Sequence, residues 1–396
     1  MDKLYDLDKP PNIDSISSEL THIEKEEIEN YNTIYYIGKK ENKINKYKSY
    51  QDFLEDSETF TDNERYRLIN NDHIEYRYQI KSILGKGSYG DVVKVYDHKY
   101  QREKAIKIFS NLKKLDADQN NMIFENEYHI LELLRKRKED YKMTNDVFTL
   151  FYYGAKFRYH NLIVFKLYSG NLYSEKDKIC DSSTMDKVKL IKNILYGLDF
   201  LTSSNPKIIH GDLKPENVFF KNETFDIVIG DFGLSKVLTN KYIEKQHFIQ
   251  TRWYRSPEII FGSPYNEKID MWSMGCMIFE IIKGKPLFPA SHDLDQIIYI
   301  QYILGCPTFE YIDSNSFIKV HYDKRYKPLN IKTMKNKSLI PGYGSNILDR
   351  FFVYDKTRYD EYTKYQLIRL VYLCLEYSSD ERISCKDAIE FINKHC

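Results

Sequence analysis

The chain has 396 residues, enough for two or three domains or one large two-lobed unit, and either would bury a core that does not need disulfides. Its 59 Lys and Arg against 58 Asp and Glu leave a net charge of +1, so no global field draws it to nucleic acid or anionic lipid, and any phosphate chemistry must be local. The six cysteines are scattered without a CxxC pair, which argues against a zinc cluster or a secreted disulfide framework and for a reducing, intracellular compartment.

The N-terminal MDKLYDLDKPPNID is too polar for a signal peptide, and the most apolar stretch, MWSMGCMIFEII, is too short to span a bilayer, so a soluble protein is expected. Residues 1 to about 77 are polar and Tyr-rich, with one amphipathic stretch, LTHIEKEEIENY, whose Leu20, Ile23, Ile28 and Tyr31 fall roughly on a helical stripe. From Tyr78 the segments YRYQIKSIL, DVVKVYDH and KAIKIF are each strand-like and separated by Gly-rich or charged turns, the pattern of an antiparallel sheet. NMIFENEYHILELL places Ile123, Tyr128, Leu131 and Leu134 near a period of 3.6, so a helix interrupts the strands. LRKRKED, at its end, reads as solvated helix terminus or loop rather than a nuclear localisation patch. Strand character resumes in FTLFYYGAKF and NLIVFKLY.

Beyond Gly170 the pattern turns helical. MDKVKLIKNILYGLDFL puts Met185, Val188, Ile191, Leu195 and Leu198 on one face, and further helices are expected at KIDMWSMGCMIFEII, DLDQIIYIQYIL, KYQLIRLVYLCLEY and SCKDAIEFINK. Residues about 307 to 360 are polar and irregular, like an insertion. The expected class is α+β: a small antiparallel sheet region with one main helix, then a large mainly helical region.

GKGSYGDVV supplies Gly85, Gly87, Gly90 and Val92 as GxGxxGxV. In a dinucleotide site such a turn leads into a helix; here both flanks read as strands, so it joins a hairpin whose glycines let backbone amides approach nucleotide phosphates, with Val92 over the base. AIKIF adds Ala105 and Lys107, alternating on the adjoining strand. A lysine on a buried sheet face needs a carboxylate, and Glu127 is preferred to Glu125 because Leu131, one turn on, shares its face. In IIHGDLKPENVFF, Asp212 can accept the proton of an attacking hydroxyl, Lys214 can neutralise the travelling phosphoryl group, Asn217 can bind a metal through its amide oxygen, and Leu213 anchors the loop. After an expected hairpin, VFFKNETFDIVIG, the triplet Asp231-Phe232-Gly233 offers a second hard oxygen ligand, and the pair suits Mg²⁺. Lys107, Asp212, Asn217 and Asp231 are expected to converge on one magnesium-bound triphosphate.

GxGxxGxV, AIK, HGDLKPEN, DFG, SPE and Asp270-x-Trp272-Ser273-x-Gly275, in this order, resemble the eukaryotic protein kinase superfamily from about Tyr78 to Cys396. The resemblance implies a bilobal fold, with a sheet lobe and hinge at 78–168, a helical lobe at 169–396, and ATP between them. It implies nucleotide contacts from Leu84, Gly85, Lys86, Gly87, Ser88, Tyr89, Gly90, Asp91, Val92, Ala105, Lys107 and Glu127. It also implies a gatekeeper at Phe165, a hinge at Lys166, Leu167 and Tyr168, and an Arg382–Glu258 pair. TRWYRSPE and DLDQIIYIQYILGCP, followed by an insertion, resemble the CMGC group of cyclin-dependent and mitogen-activated kinases. NDHIEYRYQIKSILGKGSYGDVVKVYDHK, FKLYSGNLY, DLKPEN and IQTRWYRSPE resemble the dual-specificity tyrosine-phosphorylation-regulated kinases. LTHIEKEEIENYNTIYYIGKK is similar to the accessory N-terminal segment of one subclass of them, so residues 1–77 are expected to form an ordered arm on the sheet lobe. Lys214 and Thr251 resemble residues that bracket the catalytic aspartate and hold it toward a short aliphatic hydroxyl. That implies protein substrates bearing Ser or Thr, with no nucleic acid, membrane or cyclin-like partner indicated.

Two positions depart from the pattern. Residue 211 is Gly, so the arginine that in many kinases couples the catalytic loop to a phosphorylated activation segment is missing, as it is in the resembling branch. Phe248 stands where that branch has its autophosphorylated tyrosine, so Arg252 and Arg255 would lack a phosphate dianion there. The expectation is a segment held by packing of Phe248 and by carboxylates such as Glu244, without a switch at that site. With Lys107, Glu127, Asp212, Asn217 and Asp231 all present, an active Ser/Thr kinase is expected; a catalytically silent kinase-like scaffold is the alternative.

Overall fold

The computed structural model describes residues 16–43, 65–110, 117–221, 224–243, 249–320, 322–323 and 359–396. The chain divides into two units, Met1–Glu132 with Leu150–Leu167 and Leu133–Thr149 with Tyr168–Cys396. Residues 133–149, expected with the sheet, join the second unit because their polar groups bond there. The Thr149 amide donates to the Ile229 carbonyl, and Arg137 donates to the carbonyls of Phe200, Leu201 and Pro206 at 2.6–3.2 Å. Arg137 is therefore buried structure, not part of a solvated helix end.

In the first unit β1 (His73–Ile74), β2 (Tyr78–Gly87), β3 (Gly90–Asp97), β4 (Arg102–Phe109), β5 (Phe151–Phe157) and β6 (His160–Lys166) form an antiparallel sheet in the order β1-β2-β3-β4-β6-β5. Period-two alternation sends Val93, Val95, Ile106, Ile108, Leu162 and Val164 into one apolar cluster. The residues between them alternate to the other face, in two register rows: Val92 opposes Lys107 and Lys107 opposes Ile163 in one, and Ala105 opposes Phe165 in the other. Helix α1 (His22–Glu27) lies upstream, and α2 (Ala117–Asp140) follows β4. A Cβ at Gly154 of β5 would fall 2.8 Å from the Tyr128 ring of α2, so this contact needs glycine.

The stripe expected around Leu20 to Tyr31 is interrupted. α1 is six residues long and starts after Thr21, which forms a reciprocal capping box with Glu24; a 3₁₀ turn, Ile28–Asn30, ends it, and Tyr31 is extended. The apolar residues still collect, because Leu20 and Ile28 join Ile16, Ile34, Ile37 and Tyr76 of the β1–β2 turn in a buried cluster. Beside it Glu24 forms a buried hub. It accepts from Lys43 Nζ at 2.8 Å, from His73 Nε2 at 2.8 Å and from Arg158 Nη2 at 3.2 Å. The Tyr76 amide donates to His73 Nδ1, so the hydrogen on Nε2 is the one that reaches Glu24. Burial would raise the Glu24 carboxyl, but His73, Lys43 and Arg158 outweigh it and hold it well below the usual carboxylate range. Arg158 also grips Glu27 at 2.9 Å, and with Tyr159 it forms the two-residue β5–β6 turn at φ of +44° and +67°. Asn-Gly is the ordinary choice for such a turn; here side-chain bonding to the arm offsets the strain of two non-glycine left-handed residues.

The second unit is mainly helical: α3 (Lys176–Asp181), α4 (Thr184–Thr202), α5 (Pro257–Phe261), α6 (Lys268–Lys283), α7 (Asp293–Leu304), α8 (Phe309–Ser314), α9 (Ser316–Lys319), α10 (Tyr359–Cys374) and α11 (Cys385–His395). α4 buries Val188, Ile191, Leu195 and Leu198, but Met185, expected on that face, is exposed in the first turn after the Ser183 cap. α6 is buried on nearly every side, and a Cβ at Gly275 would sit 2.7 Å from that of Cys374 on α10. No described helix is long and apolar enough to cross a membrane. The expected irregular insertion begins instead with α8 and α9, each started by a side-chain cap, from Thr308 and Asn315. Residues 324–358 of it lie outside the described residues. A two-stranded antiparallel pair of β7 (Lys207–Ile209) with β10 (Lys236–Leu238), and a short hairpin of β8 (Val218–Phe220) with β9 (Ile227–Ile229), carry the polar loops between the helices.

Candidate active site

In the first unit β2 and β3 meet at the glycine-rich turn, with Ser88 and Tyr89 at its tip and Lys86 paired to Asp91. The glycines have different reasons. At Gly90 a Cβ would lie 2.2 Å from the Ile108 carbonyl oxygen, so the neighbouring strand's backbone requires glycine; at Gly85 nothing stands within 4 Å, leaving its backbone open to a ligand. Leu84 is half-exposed beside it, and Asp91 is buried against Arg65, which also donates to the Gly87 carbonyl. Sequence reasoning did not foresee Arg65. On β4, Lys107 Nζ donates to Glu127 Oε2 at 2.7 Å, with the carboxylate buried, whereas Glu125 is exposed. Ala105 is buried beside half-buried Phe165, and Lys166 and Leu167 close this unit while Tyr168 opens the next.

In the second unit the loop after β7 is held from behind. Buried Asp270 of α6 accepts the amides of His210 at 2.7 Å and Gly211 at 2.9 Å. Burial pushes the Asp270 carboxyl up, against those two donors. His210 Nδ1 accepts the Asp212 amide and Nε2 reaches the Gly230 carbonyl at 3.0 Å, so one imidazole spaces residue 212 from the turn that carries Asp231. Gly211 has φ of +75°, and a Cβ would fall 2.8 Å from the Leu234 carbonyl oxygen, so backbone geometry favours the glycine that departs from the common pattern.

The two oxygens of Asp212 have separate partners. Oδ1 accepts the Thr251 amide at 2.8 Å and hydroxyl at 2.7 Å; Oδ2 accepts Lys214 Nζ at 2.7 Å. Lys214 also donates to Thr251 Oγ1 at 3.0 Å, closing a ring of three side chains. Burial pulls the Lys214 ammonium down, but Asp212 outweighs it, with Asp231 and Glu216 adding to the upward push, so it stays charged. Leu213 is fully buried behind the ring. Asn217 donates Nδ2 to the Asp212 carbonyl at 2.8 Å, which makes Oδ1 its acceptor end, and the Gly230 amide donates to the Asn217 carbonyl at 2.8 Å. That bond sets Asp231 next along the chain, exposed and in the left-handed region at φ +59°. An amide oxygen and a carboxylate are the hard donor set that Mg²⁺ takes.

Residues 78–391 match the protein kinase domain family. The chain belongs to the protein kinase family. It is 35% identical over 347 residues to dual specificity tyrosine-phosphorylation-regulated kinase 2 of Drosophila melanogaster, covering 84% of this chain and 46% of that one. It is 35% identical over 329 residues to the human kinase 4 of the same name (82% and 60%), and 36% identical over 318 residues to probable serine/threonine-protein kinase dyrk2 of Dictyostelium discoideum (80% and 33%). These relatives place the kinase in the dual-specificity tyrosine-phosphorylation-regulated branch of the CMGC group; the chain spans a third to three-fifths of their length.

Within this kinase the structure brings together Lys107 with Glu127 in the first unit and Asp212, Lys214, Asn217 and Thr251 in the second. Arg382 pairs with Glu258 through both guanidinium nitrogens at 2.6 and 3.0 Å. Phe248 and Glu244, expected to hold the activation segment, lie outside the described residues. Arg252 and Arg255 instead meet Asp293, which sequence reasoning missed, as it missed His210 and Gln250. For His210 the signal was present in the quoted loop: a histidine two residues before the aspartate, next to a glycine.

Proposed function

We propose that the chain is an ATP-dependent protein kinase that transfers the γ-phosphoryl group to serine and threonine hydroxyls of protein substrates. The observation that carries this reading is the Asp212 carboxylate, fixed on one oxygen by Thr251 and flanked on the other by a charged Lys214. In the transfer Asp212 takes the proton of the substrate hydroxyl while that oxygen bonds to the γ-phosphorus; the bond to the bridging oxygen breaks and ADP leaves. Lys214 offsets the charge on the moving phosphoryl group, and its bond to Thr251 keeps the base shallow, which suits an aliphatic hydroxyl. The glycine-rich turn and Lys107, oriented by Glu127, serve the phosphates; Ala105, Phe165 and residues 166–168 serve the base. Asn217 and Asp231 would hold Mg²⁺, which neutralises phosphate charge when bound.

Phe248 has no hydroxyl, so the reading includes no tyrosine switch at that position, and it requires no cyclin-like subunit. Transfer of radiolabel from ATP to a generic basic protein in the presence of Mg²⁺ tests it. Phosphoserine and phosphothreonine are expected, and incorporation no greater than that of Asp212→Asn would refute the reading.

A further inference from the structure

The end of the activation segment carries two guanidinium groups three residues apart, and both converge on one carboxylate oxygen. Asp293 Oδ1 accepts Arg252 Nε at 2.8 Å and Arg255 Nη1 at 2.9 Å. Asp293 opens α7, where the exposed amides of a twelve-residue helix favour an anion. Close by, Trp253 Nε1 donates to the Ala290 carbonyl at 2.9 Å, so the segment is fastened twice to the stretch leading into α7.

Arg255 does more than meet Asp293. Its Nε and Nη2 donate to the Gln250 carbonyl at 3.2 and 2.9 Å. Gln250 is buried at φ +63°, an uncommon backbone for a residue with a side chain, and is pinned by its amide to the Gly211 carbonyl and by its side chain to Ser256, Ser273 and the Ile269 carbonyl. The next residue, Thr251, is the one whose amide and hydroxyl hold Asp212. A continuous bonded route thus runs from Asp293 through Arg255 and the Gln250 carbonyl to the proposed base.

We infer that Asp293 is a positioning residue for phosphoryl transfer: its carboxylate is the built-in counter-anion of Arg252 and Arg255, and through Arg255 it keeps Thr251 on Asp212 without an added phosphate. Remove that charge and two like-charged side chains face each other with no shared anion, and the tension falls on the Gln250 turn. The inference rests on the kinase reading above and deepens it.

The test compares wild type, Asp293→Asn and Asp293→Glu with Mg·ATP and two serine peptides, one with arginines before the serine and one with alanines there. Wild-type transfer is measured first; its absence would count against the kinase reading and not separately against Asp293. Given wild-type activity, Asp293→Asn is expected to lower kcat about tenfold on both peptides, leaving KM for ATP and peptide within about twofold, and Asp293→Glu to recover most of the rate. Arg255→Gln should cost a similar factor, and the double variant little more than either single one, as for residues on one route. Because Asp293 is about half exposed, folding should survive, and circular dichroism melting checks this. Phosphatase treatment of wild type should leave the rate unchanged. An unaltered kcat, additive losses in the double variant, or activity lost to phosphatase would overturn the inference. So would a defect confined to KM for the arginine peptide, which would make Asp293 a contact for substrate cations.

Discussion

Two charged clusters in this molecule use the same chemical groups to opposite ends. Around Glu24 a carboxylate takes four buried donors, the Thr21 amide, Lys43, His73 and Arg158, and has no capacity left for anything else. Around Asp212 a carboxylate takes Lys214 and Thr251, with the Asn217 amide at 3.4 Å, yet Lys214 keeps about a fifth of its surface exposed and Asp231 lies at the surface. A saturated cluster fastens one chain segment to another. An incompletely enclosed one leaves lone pairs and charge for a reactant.

If that contrast holds, the largest effect on stability should come from the arm. Glu24→Ala would leave Lys43, His73 and Arg158 buried around a missing anion, and a loss of about 3–5 kcal/mol is expected by chemical unfolding, with the transfer rate per folded molecule little changed. Asp212→Asn should behave inversely. Turnover should fall about 10²-fold or more while nucleotide affinity, read by calorimetry, and melting temperature stay near wild type.

Third in size is a pH effect in the sheet unit. Burial pulls His160 down to about 4, against its bond to the Phe109 carbonyl at 2.7 Å. The folded protein binds this proton less readily than the unfolded chain, so stability from this group is intact above about pH 6.5 and lost as pH falls toward 4. The loss should be roughly 2 kcal/mol by pH 5, measured by denaturant titration, and His160→Gln should flatten it. Glu24, held low, adds its own loss only below about pH 4.5. The smallest effect is expected at an exposed pair: Asp313→Ala, which removes its ion pair with Lys319, should change stability by no more than about 0.5 kcal/mol.

The same contrast explains what could be read from the sequence. Gly85 to Val92, Lys107, Asp212, Lys214, Asn217 and Asp231 could be singled out as candidates because phosphate and metal chemistry restricts residue types at short fixed spacings, and the strand periods around them were clean; the structure pairs Lys107 with Glu127 and Lys214 with Asp212. Glu127 could be chosen over Glu125 from helix geometry alone. Arg137, Asp293 and the Glu24 hub were not legible. Each is a common surface residue type whose meaning comes from a partner far along the chain, such as Arg158, 134 positions from Glu24. Met185 misled because helical period alone does not say where a helix meets its neighbours. Gly211 looked like the loss of an arginine until its backbone angle supplied a reason for glycine.

The turn at Arg158 and Tyr159 has an implication for protein engineering. Its two residues are poor intrinsic hairpin formers, so the bend between β5 and β6 is on loan from the arm. Grafting Asn-Gly into those two places should free the sheet from that dependence, making it indifferent to deletion of residues 16–43 where the natural turn would slacken.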